Sequence, residues 1–104
     1  DKGNAEAQLQ LGDAYRDGDM GLKKSPERAI QFFELAAAQG HGHAQFTLGQ
    51  CYEAGEGVKI DRKTGAQWYR RASEQGHPIA QYNFGQYFYF GKGVAQSYDE
   101  AAKW

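Results

Sequence analysis

Three serines, three histidines and one cysteine are the side chains through which this sequence could do nucleophilic or metal chemistry. A serine acyl-transfer site of the β-lactamase type needs a lysine one helical turn beyond the nucleophile, S-x-x-K. The three serines instead read Ser25-Pro26-Glu27-Arg28, Ser73-Glu74-Gln75-Gly76 and Ser97-Tyr98-Asp99-Glu100, none with that lysine. A metal site would draw on His41, His43, His77 and Cys51. His41 and His77 stand at the same place in a repeat, so they are expected about one interhelical spacing apart, ~10 Å. With metal–nitrogen bonds of about 2 Å they cannot share an ion. The pair reads instead as polar residues entering two helices. Cys51, beside Tyr52 in a helical stretch, reads as a small buried hydrophobe. Gly-x-Gly at 55–57 and again at 91–93 would suit a phosphate only after a strand, and no strand precedes either. No catalytic residue, cofactor or metal is assigned, and the chain is expected not to be an enzyme.

The background composition is that of a folded domain. Of 104 residues, 40% are hydrophobic and 24% charged, with seven Tyr, six Phe and two Trp, which is globular rather than disordered. Twelve Lys and Arg against thirteen Asp and Glu leave a formal charge of -1, so no general basic field exists to condense on nucleic acid or an anionic membrane. No apolar run reaches the roughly 18 residues that a membrane span requires. Neither nucleic acid nor membrane is an expected partner. The opening Asp1-Lys2-Gly3-Asn4 has neither Met nor a signal-peptide core, as expected of a cut piece.

Fourteen glycines invite a search for a period. A shift of 36 brings His41, Ala44, Gln45, Gly49, Gln50, Gly55, Gly57, Val58, Ala66 and Trp68 onto identical residues at 77, 80, 81, 85, 86, 91, 93, 94, 102 and 104, ten identities in 28 positions. Ala7, Leu11, Gly12, Tyr15 and Gly18 precede their counterparts by 37, so the first unit has one extra residue within Asp19-Met20-Gly21-Leu22. The units run 4–40, 41–76 and 77–104, the last one truncated.

Each unit carries two helical signals. Ala44, Leu48 and Tyr52 mark one stripe of a first helix, and Gly55 follows where a C-cap needs positive φ. After a short turn Asp61 can cap a second helix that carries Gly65, Trp68, Tyr69 and Ala72 and closes at Gly76. Ser25 with Pro26 and Glu27 gives the same start in the first unit, and Ser97 with Glu100 forms a capping box in the third. Paired helices every 36 residues without strand signals predict an all-α solenoid of helix-turn-helix repeats.

The pattern A-x-x-x-L-G-x-x-Y-x-x-G-x-G-V-x-x-D followed by A-x-x-W-Y-x-x-A resembles the Sel-one-like repeat (SLR) family, relatives of the tetratricopeptide repeats. Ala44, Leu48, Gly49, Tyr52, Gly55, Gly57, Val58, Asp61, Trp68, Tyr69 and Ala72 carry it. Gly65 departs from a usual Ala, Ser25 and Ser97 from a capping Asp, and Phe84 and Phe88 from Leu and Tyr. The resemblance implies a right-handed superhelix whose first helices line a concave surface.

At about 100° per residue, Phe46, Gln50 and Glu53 lie nearly opposite the Ala44–Leu48–Tyr52 stripe. Their counterparts are Leu9, Asp13 and Arg16 before them and Tyr82, Gln86 and Tyr89 after them. With the concave face that the resemblance implies, these nine residues are expected to form one groove wall, aromatic area beside directional polar groups, for a protein or peptide segment. Two other readings stay open. Cysteine-rich relatives raise a hydrolase acting on β-lactam or cell-wall substrates, against which the missing S-x-x-K and the single Cys51 count. The other is a structural spacer within a longer array. The second helix of the last unit reaches only about two turns from Ser97 to Trp104, beneath Tyr82, Phe84, Tyr87, Phe88, Tyr89 and Phe90. That unfinished aromatic end is expected to be covered by a next repeat or by self-association with another copy.

Overall fold

The computed structural model describes residues 2–90 and Lys103. Five helices follow one another: α1 (Lys2–Asp17), α2 (Pro26–Ala38), α3 (Gly42–Ala54), α4 (Arg62–Glu74) and α5 (Pro78–Phe90). Each packs on the next along the chain, α1 on α2, α2 on α3, α3 on α4 and α4 on α5. This is the helical solenoid that the repeat period predicts. The expected helix from Ser97, its capping box and Gly91 lie outside the described residues.

Start and stop chemistry is that of the sequence. Ser25 in extended backbone accepts the Arg28 N–H ahead of Pro26, and Asp61 accepts the Thr64 N–H at 3.1 Å. Both side chains satisfy amide donors that an α-helix leaves unpaired in its first turn. Gly55 ends α3 at φ 74°, ψ 32°, the left-handed C-cap that a Cβ would disfavour. The turns are pinned alike, Ser25 N–H to Tyr15 carbonyl at 2.7 Å and Asp61 N–H to Tyr52 carbonyl at 2.9 Å. Met20 repeats the left-handed backbone of Gly57, at φ 57° and 76°, and Gly21 adds a further positive φ of 73° in the longer first turn.

Within a unit the two helices approach through a glycine facing an aromatic ring. A Cβ on Gly12 would stand 2.5 Å from the Phe33 ring, and one on Gly49 would stand 2.8 Å from the Tyr69 ring. Phe33 and Tyr69 are fully buried. One core joins Leu9, Ile30, Phe33, Leu48 and Cys51 across the first and second units, and another joins Phe46, Ala66, Tyr69, Ala80 and Phe84 across the second and third.

Glutamines tie the two helices of each unit together and link each unit to the one before it. Gln39 donates to Gln8 at 2.6 Å, and the repeat-equivalent Gln75 donates to Gln45 at 2.7 Å. Gln45, 4% exposed, donates in turn to the Ala37 carbonyl, and Gln81 makes the matching bond to Ser73 at 3.1 Å. A buried amide with both ends engaged costs little to bury and fixes the register between neighbours.

Candidate partner-binding surface

The nine residues expected along the groove separate into three rows, one for each position in the repeat. Leu9 and Phe46 are each 5% exposed, whereas Tyr82 is 64% exposed. Leu9 and Phe46 are therefore core residues rather than parts of an open wall. Phe46 lies 5.8 Å from the Tyr69 ring and stacks on His77 at 4.6 Å, so α4 of its own unit and α5 of the next both cover it. Leu9 is held the same way among Phe33, Ala44 and Leu48. A wheel drawn on one helix misses this, because the opposite side of a first helix is where the following unit lands.

The row at 16 and 53 reaches toward the second helix of its own unit. The Arg16 guanidinium sits 5.6 Å over the Phe33 ring and pairs with Asp13 at 2.9 Å. Glu53 accepts the Tyr69 hydroxyl at 3.2 Å. One position thus carries a cation where the facing ring is bare and a carboxylate where the ring bears a hydroxyl. Tyr89 belongs to this row, and its side chain lies outside the described residues.

The remaining row, Asp13, Gln50 and Gln86, runs from unit to unit, one residue on each first helix. Gln50 is exposed, and Asp13 and Gln86 are half-buried. With units about 10 Å apart, these side chains stand at the spacing of roughly three residues of extended peptide. Amide and carboxylate ends offer donors and acceptors that can pair with a peptide backbone.

The side chains first weighed for chemistry have structural employment. His41 and His77 are N-caps, their Nδ1 atoms accepting the Ala44 and Ala80 N–H groups at 3.1 and 3.2 Å. Sequence reasoning left them as polar loop entries; the clue was the helix-starting alanine three residues after each. It also missed that His77 meets His43, ring nitrogens 3.3 Å apart. Burial pushes the Cys51 thiol up to about 11, with Glu56 adding to the rise, so almost no thiolate exists at neutral pH. Hydrogen bonds from Thr64 hold Asp61 below the usual carboxylate range. Among the described residues no three His, Cys, Asp or Glu side chains converge on a metal position.

Paired helices stacked at a fixed period, with a glycine-on-ring contact inside each pair and a capping histidine at each joint, define a helical-repeat protein. The Sel1 repeat pattern matches residues 5–41, 42–77 and 78–104, and the chain belongs to the Sel1 repeat family. A Sel1 repeat protein of Oxalobacter formigenes superposes with a TM-score of 0.94 at 39% identity, over 97% of this chain and 41% of that one. Over 61 residues the chain is 38% identical to the ERAD-associated E3 ubiquitin-protein ligase component HRD3B of Arabidopsis thaliana, and over 62 residues it is 42% identical to chitin synthase regulatory factor 1 of Schizosaccharomyces pombe. Each alignment takes in 59% of this chain but only 10% and 14% of those relatives.

Proposed function

We propose that the chain is a non-catalytic adaptor that binds an extended segment of another protein along its first helices. The observation that carries this is the row Asp13, Gln50, Gln86, which recurs on three successive first helices with each side chain exposed or half-buried. A preformed helical surface spares the scaffold most of the ordering cost of binding. The similar proteins fit the reading, since one is named a component of a ligase and another a regulatory factor. Leu9 and Phe46 serve it from beneath by fixing the spacing of the units.

The α5 face gives the adaptor a second contact. Ile79 and Tyr82, 57% and 64% exposed, are the repeat equivalents of His43 and Phe46, on which the first helix of the following unit lands. This face is matched to another first helix, and self-association presents one from a second copy.

Selection of peptides from a random displayed library against the immobilised chain, followed by affinity measurement on variants, tests the adaptor reading. Asp13→Ala with Gln50→Ala is expected to weaken the selected peptides by about tenfold or more without moving the thermal midpoint. Peptides that bind the double variant equally well would overturn the proposed site. A library that yields no binder would favour the spacer reading. Turnover of a reporter β-lactam would favour the hydrolase.

A further inference from the structure

The two joints between units are built on one plan with different chemistry. In each, the capping histidine of the later unit uses Nδ1 to accept a helix N–H, so in the neutral ring the proton sits on Nε2. That Nε2–H points back at one position on the preceding first helix. At the first joint His41 donates to the Glu6 carboxylate at 2.7 Å. At the second, His77 donates to Nδ1 of His43 at 3.3 Å, and the two rings stack with centroids 5.5 Å apart. Glu6 and His43 occupy the same place in their repeats, 37 residues apart.

A metal bridge between His43 and His77 is disfavoured by the same tautomer. Coordination through His77 Nε2 would move the ring proton to Nδ1, where the Ala80 N–H already donates. The contact instead depends on His43 Nδ1 keeping a free lone pair and His77 Nδ1 keeping another. Taking up a proton at either atom replaces an acceptor by a donor that faces a donor, and a second proton sets two cations against each other.

We propose that the His43–His77 contact is an acid-labile joint, which opens the docking of α5 on α3 as the pH falls below neutrality, while the equivalent His41–Glu6 joint is held by an opposite charge. The charged groups around it do not offset the effect. On α4, Glu74 pairs with Arg70 at 3.6 Å and Arg71 lies over Trp68; on α3, Glu53 is engaged by the Tyr69 hydroxyl. Glu6 serves His41 at the other joint. Burial and then the His43 charge hold His77 below its ordinary 6.5. The unfolded or undocked chain therefore binds the proton more readily, so docking is full above about pH 6.5 and weakens as the pH falls through that value and the lowered one. The joint goes beyond the adaptor reading: it alters the relative placement of the second and third units, and it stands whether or not a peptide binds.

Amide hydrogen exchange across α5, measured at pH 7.5 and 5.5 and corrected for the intrinsic pH dependence of exchange, tests it. Protection of the Ala80–Gln86 amides is expected to fall several-fold between the two pH values in the natural sequence, because the lowered proton affinity of docked His77 favours the open form in acid. In His43→Glu, which copies the first joint, the fall is expected to be under about twofold. His77→Asn, which keeps a capping oxygen for Ala80 and cannot titrate, is expected to be equally insensitive and serves if His43→Glu folds poorly. Protection independent of pH in the natural sequence, or an equal fall in both variants, would overturn the proposal. So would nitrogen chemical shifts that place the His77 proton on Nδ1 at pH 7.5.

Discussion

Replacing Gly49 by alanine should destabilise the chain even though alanine is the better helix former. The new Cβ would lie 2.8 and 2.9 Å from two Tyr69 ring carbons and 3.2 Å from the Gly65 carbonyl oxygen, where ordinary contact begins at 3.4 Å. Relief requires a movement of about half an ångström. Tyr69 cannot supply it cheaply: it is fully buried, packed on Phe46 and tied through its hydroxyl to Glu53. Overpacking of this kind costs about 1–3 kcal/mol, against about 1 kcal/mol gained from helix propensity. The net loss of about 1 kcal/mol or somewhat more lowers the thermal midpoint by on the order of 5–10 °C for a chain of this size. Gly42→Ala, at the start of the same helix, is the counterpart. Its Cβ would meet only the flexible Gln75 side chain at 3.5 Å, so the midpoint should hold or rise by about 2 °C. Circular dichroism melts of the two variants decide the matter. A Gly49→Ala protein as stable as Gly42→Ala would refute the claim that the glycine-on-ring contact sets the distance between paired helices.

Two further outcomes follow from the covered and uncovered ends of one repeat position. Phe46→Ala should cost about 3–5 kcal/mol in denaturant unfolding while Tyr82→Ala stays within about 0.5 kcal/mol, and similar losses at both would contradict the burial difference between them. Light scattering over a concentration series should show a dimer that Ile79→Lys with Tyr82→Glu abolishes; a strictly monomeric protein at every concentration would remove the self-association reading.

The paired helices, their caps and their glycine stops were legible because each depends on residues within a few positions of one another. Ser25 before Pro26, Asp61 before Thr64 and Gly55 after α3 each act on their own turn of backbone. The site was less legible because a helical wheel assumes one buried and one free side. In α3 the six residues from Ala44 to Gly49 are all buried, more than one full turn, and a solvent-exposed position returns only at Gln50. The helix is enclosed by its own partner and by both neighbouring units, which no single-helix pattern encodes. The joints escaped for a related reason. The capping role of His41 is local, but Glu6 and His43 acquire meaning only when the 37-residue offset is applied to pairs of positions rather than to identical residues.

The stitching by Gln45 also bears on the order in which such a chain can fold as it is made. Its Nε2 is satisfied by the carbonyl of Ala37, already present when α3 emerges, whereas its Oε1 waits for Gln75, 30 residues later. At a synthesis rate of about 5–20 residues per second, that interval lasts a few seconds. During it, α3 can lean on the finished unit behind it but carries an amide oxygen that is still exposed to water and cannot be buried without penalty. Each second helix therefore completes the polar accounts of the first helix of its own unit. Assembly is biased to proceed from the N-terminus, and the most recently made helix is always the least committed.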